Sequence, residues 1–175
     1  MAAKGAEKTA GSVVLIGMPG AGKSTIGVML AKELAKDFVD TDVLIQVREG
    51  RTLQSIMDGA DYLHLRQIEE AALLDAHLPA HVVATGGSAV YSDAGMQHLK
   101  QYGVAVFLDL PLADLQRRIH NYAERGIARR PGQTFEALFA ERRTLYLQHA
   151  DIVVDCHDKT PERIIGEIIR ALARF

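Results

Sequence analysis

The chain has 175 residues, 48% of them apolar, which is enough to bury a core within the size of one domain. Its formal net charge of -2 and sequence pI of about 6.4 provide no broad basic field for wrapping nucleic acid, so any anion must be held by local arginines and backbone N–H groups. No window approaches the roughly 18 apolar residues of a membrane span, the opening "MAAKGAEKTAG" lacks the apolar stretch of a secretory signal, and the single cysteine, Cys156, excludes an internal disulfide and a cysteine zinc cluster. A small-molecule partner, no membrane or nucleic-acid partner, and a cytoplasmic location are therefore expected.

Residues 1–11 are small or charged and show no period, so a frayed end is expected before a single structured domain over 12–175. The first strand is "VVLIG". Gly17 to Ser24, "GMPGAGKS", follows it and satisfies G-x-x-x-x-G-K-[ST] at the start of the helical stretch "STIGVMLAKELAKDF". Glycines at these positions let successive N–H groups turn inward around phosphate oxygens, and the helix N-terminus adds partial positive charge. Gly20, Ala21, Gly22, Lys23, Ser24 and Thr25 are thus the expected nucleotide-triphosphate site, with Lys23 on the outer phosphates and the Ser24 hydroxyl available to Mg²⁺. A lysine at the positive end of a helix is unfavourable unless an anion is near.

The second strand, "FVD", runs into "FVDTD". Read as strand, Asp40 and Asp42 share one face at its carboxyl end, the edge where an open parallel sheet binds ligands. Two such carboxylates raise one another's pKa unless a cation lies between them, and nucleotide-bound Mg²⁺ is the expected cation. Capping of the helix "VLIQVREG" is the alternative use of either acid. The helical stretch "ADYLHLRQIEEAALLDAHL" places Arg66 and Glu69 three apart, spacing that suits a surface ion pair. A third strand, "HVVATG", ends in Gly86 and Gly87, compatible with close approach of a ligand or with a plain turn.

The strands "VAVFLDL" and "DIVVDC" and the helices "PLADLQRRIHNY", "TFEALFAERRTLYLQH" and "TPERIIGEIIRALARF" complete the alternation, with helix starts marked by Pro111, Thr134 and Thr160-Pro161. Five strands alternating with helices predict an α/β fold, a parallel sheet with helices on both faces. The segment "AERGIARRPGQ", within 123–133, has no period and carries Arg125 before Gly126, and Arg129 and Arg130 between Gly126 and Gly132, which fits a lid over phosphates or a solvated basic loop.

In order, these pieces resemble the shikimate kinases, P-loop enzymes related to the nucleoside-monophosphate kinases, over nearly the whole chain. The resemblance rests on "GMPGAGKST", "VDTD", "LRQIEE", the glycines at 86 and 87, "RRP" at 129–131 and "ERRTLY" at 141–146. It implies a three-layer α/β/α P-loop kinase with strand order 2-3-1-4-5, a short lid at about 123–133 and substrate-binding helices at about 42–78, acting as a monomer. It also implies ATP as phosphoryl donor, Mg²⁺ held by Ser24 and Asp40, and a carboxylated alcohol as acceptor, shikimate first. Lys23, Asp42 and Arg130 would be catalytic, with Arg130 also touching the nucleotide. Asp42, Arg66, Gly86, Gly87, Ser88 and Arg142 would bind the acceptor, the two arginines gripping its carboxylate.

The chain departs from the family's usual pattern at Leu65, where a phenylalanine is common, at Met57, at Ser88 in place of a third glycine, and in a shortened lid. These departures leave homoserine or gluconate as alternative acceptors. A nucleotide-binding module without turnover is the alternative outside the enzymes.

Overall fold

A computed structural model describes residues 11–119 and 127–175. The expected frayed end lies outside the described residues except for Gly11, and so does the first part of the expected lid, 123–126, with Arg125.

The sheet is built from β1 (Ser12–Ile16), β2 (Asp37–Asp40), β3 (His81–Ala84), β4 (Gly103–Asp109) and β5 (Ile152–Asp155). Every pairing is parallel, and the order is β2-β3-β1-β4-β5, as the resemblance implies. All five residues of β1 are buried, because the central strand of a parallel sheet is covered on both faces. Helix α1 (Lys23–Leu34) packs on β1, β2 and β3 beside α8 (Pro161–Leu172), which also lies against β5. Helices α5 (Asp93–Tyr102) and α7 (Phe135–His149) pack on β4 from the other side, completing three layers. The core between them is a cluster of Val13 to Ile16, Val82, Val83 and Val104 to Leu108 with the apolar faces of the helices.

Between β2 and β3 the chain forms α2 (Thr41–Glu49), α3 (Leu53–Asp58) and α4 (Tyr62–Asp75). These share a smaller apolar cluster of Ile45, Ile56, Leu65 and Ala72, joined by Ala128 from the segment expected to form the lid. After β3 come a 3₁₀ turn (Ala89–Tyr91) and α5, and after β4 comes α6 (Leu112–Arg118). Helix starts are set by side chains: Thr52, Asp61, Ser92, Thr134 and Thr160 each accept a backbone N–H of the first turn. Sequence periodicity did not reveal α3 and α5. The first has only six residues, and the second carries Gly95, whose missing side chain admits Ser92 and Leu73 within 3.0 Å of where a Cβ would stand.

One expectation is corrected here. Strand β2 ends at Asp40, and Asp42 lies in the first turn of α2, so the two acids do not share a strand face. Asp40 caps that helix, its Oδ1 accepting the Asp42 N–H at 2.9 Å. The capping alternative therefore holds for Asp40, and the geometry of a helix N-terminus, not strand alternation, sets the direction of Asp42.

Candidate active site

The loop after β1 wraps the start of α1. Gly20 and Gly22 have φ of +83° and +93°, a region that a side chain would strain, and a Cβ on Gly20 would sit 2.9 Å from Ile119. The buried Ala21 closes the turn, its N–H donating to the Met18 carbonyl at 3.1 Å. Lys23 is buried at the head of α1, and its Nζ donates to the carbonyls of Gly17 at 2.6 Å and Met18 at 2.8 Å. Burial lowers its pKa to about 8 against the opposing pull of the Asp42 carboxylate. Ser24 and Thr25 are exposed at the helix N-terminus.

Ser24 Oγ donates to Asp40 Oδ2 at 2.5 Å, so Asp40 offers one oxygen to the helix cap and one to the loop serine. A hydroxyl and a carboxylate at a phosphate loop are hard oxygen donors of the kind Mg²⁺ takes alongside nucleotide phosphates. Burial raises the pKa of Asp42, and the nearby Asp40 charge raises it further. A cation at Ser24 and Asp40 would relieve that repulsion, so the donor set fits the ion.

The loop after β3 lies against these acids. Thr41 is buried between them, and its Oγ1 accepts the Gly86 N–H at 2.9 Å. A Cβ on Gly86 would stand 2.5 Å from Asp42 Oδ1 and 2.6 Å from Glu69 Oε1, so the two carboxylates converge on the bare backbone. Gly87 lies against Arg142, whose Nη1 would be 2.8 Å from a Cβ there. Its carbonyl accepts the Tyr146 hydroxyl at 2.6 Å. Ser88 donates its hydroxyl to Glu69 Oε2.

Glu69 is 3% exposed and does not form the surface pair with Arg66 that its spacing suggested. Burial lifts its pKa to about 7, and the Ser88 bond opposes the rise.

Arg142, on α7, is 1% exposed; one Nη donates to the Ala128 carbonyl, while its Nε is buried with no partner. A buried guanidinium N–H without an acceptor is costly, and a ligand carboxylate would satisfy it. Arg66 stacks on the Tyr91 ring, with Cζ 3.5 Å from the centroid, and its Nε is also buried and unpartnered.

A cavity of about 430 Å³ joins these parts. Gly20, Gly22, Lys23, Ser24 and Thr25 line one end, Asp42 the middle, and Gly86, Gly87, Ser88 and Arg142 the other, with Ile45, Leu53, Leu65 and Ile127 as apolar wall. Arg66 and Arg130 stand outside that wall. Arg66 borders a smaller depression with Glu69, Ser88 and Tyr91. Arg130 lines another with Met57 and Gln133 and pairs with Glu141 at 2.7 Å.

Sequence reasoning gave no supporting role to Thr41 and Tyr146, which hold the glycine loop, to Glu69, read as a surface partner of Arg66, or to Tyr91. It also missed Arg118, whose Nη1 donates to the Gly20 carbonyl at 3.4 Å. Thr41, Glu69 and Tyr146 stand inside "VDTD", "LRQIEE" and "ERRTLY", and Tyr91 and Arg118 in no motif, but the role of each rests on a contact made only in the fold.

Residues 19–173 match the family model described as Shikimate kinase. A Shikimate kinase from Chromohalobacter salexigens is 38% identical over 167 residues, covering 94% of this chain and 93% of that protein. Shikimate kinase 2 from Enterobacter sp. (strain 638) is 32% identical over 167 residues, covering 91% and 94%. Among solved structures, the shikimate kinase from Acinetobacter baumannii in complex with shikimate superposes with a TM-score of 0.85 at 27% identity, covering 97% of this chain and 96% of that one.

Proposed function

The chain belongs to the shikimate kinase family and is an ATP-dependent phosphotransferase with an alcohol acceptor, and from that premise we propose that it phosphorylates shikimate with Mg²⁺ assistance, using the cavity between Lys23 and Arg142. The observation that carries the residue assignment is this one cavity, with a phosphate loop at one end, the Asp42 carboxylate between, and a buried guanidinium with a free Nε at the other. An acceptor whose carboxylate meets Arg142 presents its ring hydroxyls toward Asp42 and the phosphate loop.

Phosphoryl transfer passes through a loose transition state, so catalysis here is alignment and charge neutralisation. Asp42 accepts a hydrogen bond from the acceptor hydroxyl and fixes its approach. Lys23, released from the Gly17 and Met18 carbonyls, follows the charge that develops on the phosphoryl oxygens. Ser24 and Asp40 hold Mg²⁺, which supplies charge neutralisation on the phosphates when bound. Backbone groups of Gly86 and Gly87 line the acceptor pocket, where side chains would collide with Asp42, Glu69 and Arg142. Arg66 joins Arg142 on the carboxylate. Arg130 leaves Glu141 and reaches the phosphates as the lid closes, and a monomer suffices for all of these roles.

Three of the departures that raised other acceptors, Met57, Leu65 and Ser88, favour none of them. Met57 lies outside the main cavity, packed on the small apolar cluster, and Leu65 supplies apolar wall. The Ser88 hydroxyl is engaged by Glu69 and adds no polar demand on the ligand. A coupled ADP-release assay on shikimate, homoserine and gluconate tests the reading. Turnover on shikimate alone is expected, and turnover on either other acid with none on shikimate would overturn it.

A further inference from the structure

Two guanidinium groups converge on one aromatic ring. The Tyr91 centroid is 3.5 Å from Arg66 Cζ and 5.5 Å from Arg142 Cζ. The Tyr62 ring, whose centroid is 5.0 Å from Arg66 Cζ, also packs on Arg66. The Tyr91 hydroxyl donates to Glu141 Oε1 at 2.6 Å, and the same carboxylate accepts Arg130 at 2.7 Å and Gln133 Nε2 at 3.1 Å through Oε2. Two like charges near one another repel, and neither Arg66 nor Arg142 has a carboxylate within ion-pairing distance among the described residues. The negative face of the ring and the carboxylate on its hydroxyl are what the fold supplies instead.

We propose that Tyr91 is a positioning residue for acceptor specificity: its ring holds Arg66 beside Arg142 as a two-guanidinium receptor for the acceptor's carboxylate, and its bond to Glu141 fixes the ring. The inference rests on the reading of Arg66 and Arg142 as carboxylate ligands. It adds the element that brings Arg66, which stands outside the main cavity wall, to the same ligand group as Arg142. Stacking on Tyr91 leaves the edge of the Arg66 guanidinium free to donate, and the buried Nε atoms of Arg66 and Arg142 are both without a partner for a ligand carboxylate to meet.

The test is steady-state kinetics on Tyr91→Leu, Tyr91→Phe, Arg66→Ala and the double variant Arg66→Ala/Tyr91→Leu, with ATP and acceptor each varied. Tyr91→Leu should raise the acceptor KM about three- to thirtyfold and leave the ATP KM within about twofold, since the phosphate loop is not touched. Tyr91→Phe keeps the ring and should restore the acceptor KM to within about threefold of the parent. Tyr91→Leu should add nothing to Arg66→Ala, because both remove the same interaction.

An unchanged acceptor KM in Tyr91→Leu, with a raised KM in Arg66→Ala, would overturn the inference and leave the role of Arg66 standing. Additive effects in the double variant would also overturn it, as Tyr91 would then act independently of Arg66. An unchanged KM in Arg66→Ala would remove the underlying reading and this inference together.

Discussion

Substitution of Gly86 by alanine tests how tightly the acceptor hydroxyl must be aligned. Gly86 does not occupy the positive-φ region, so alanine brings no backbone strain, and the whole effect comes from its methyl group. That methyl would stand 2.5 Å from Asp42 Oδ1 and 2.6 Å from Glu69 Oε1. Ordinary contact requires about 3.5 Å, so each carboxylate must retreat by about 1 Å. Asp42 is anchored through a short helix whose cap is Asp40, and Gly86 is itself tied to Thr41, so the movement falls on the Asp42 side chain. A displacement of about 1 Å in an aligning group costs on the order of 100-fold in rate, about 2.7 kcal/mol in the barrier. Coupled ADP-release kinetics should therefore show kcat down by about two orders of magnitude with the ATP KM nearly unchanged. Gly59→Ala is the control: its nearest neighbour would be 3.7 Å from the new methyl, and activity should be unaffected. A Gly86→Ala enzyme that retains kcat within about threefold would refute the alignment argument, because the carboxylate would have moved without consequence.

Asp42→Asn should lower kcat by about 100-fold or more while changing the ATP KM little; equal losses in both would assign Asp42 to the nucleotide. Asp40→Ala removes the α2 cap and should cost about 1 kcal/mol in urea unfolding without Mg²⁺. It should also raise the Mg²⁺ concentration needed for half-maximal turnover, and an unaltered Mg²⁺ titration would take Asp40 out of the ion's coordination. Glu69 provides a pH test. Burial raises its pKa from 4.5 to about 7, so the folded chain holds this proton more tightly than the unfolded one. The stabilisation is complete below pH 4.5 and is lost as pH rises through 7, up to roughly 3 kcal/mol. Glu69→Gln should lack that decline in urea midpoints, and parallel profiles for the two proteins would refute the burial argument.

The expectations that held at the level of fold rest on local physics. Continuous apolar runs such as "SVVLI" belong to covered parallel strands, and the spacing from Gly17 to Ser24 requires a loop at a helix N-terminus whatever surrounds it. Thr134 and Thr160 cap the helices they were expected to open, because capping involves only neighbours in sequence. Asp42 shows where local reading fails. Period-two alternation was applied two residues past the end of β2, and the capping bond from Asp42 N to Asp40 turned the chain into α2 instead.

The available chemistry is legible in the chain before any folding: a phosphate loop with Lys23 and Ser24, two acids at and just past the end of the second strand, bare glycines at 86 and 87, and arginines at 66, 130 and 142. How these groups are shared was settled by the packing of the whole fold. It split the oxygens of Asp40 between cap and serine, engaged Ser88 with Glu69, paired Arg130 with Glu141, and set Arg66 and Arg142 on the ring of Tyr91. The difference is one of range. Propensity, capping and loop geometry act over a few residues, whereas the partners of Glu69 and Arg66 lie 19 and 25 positions away along the chain and meet them only once α4 packs beside the loop after β3.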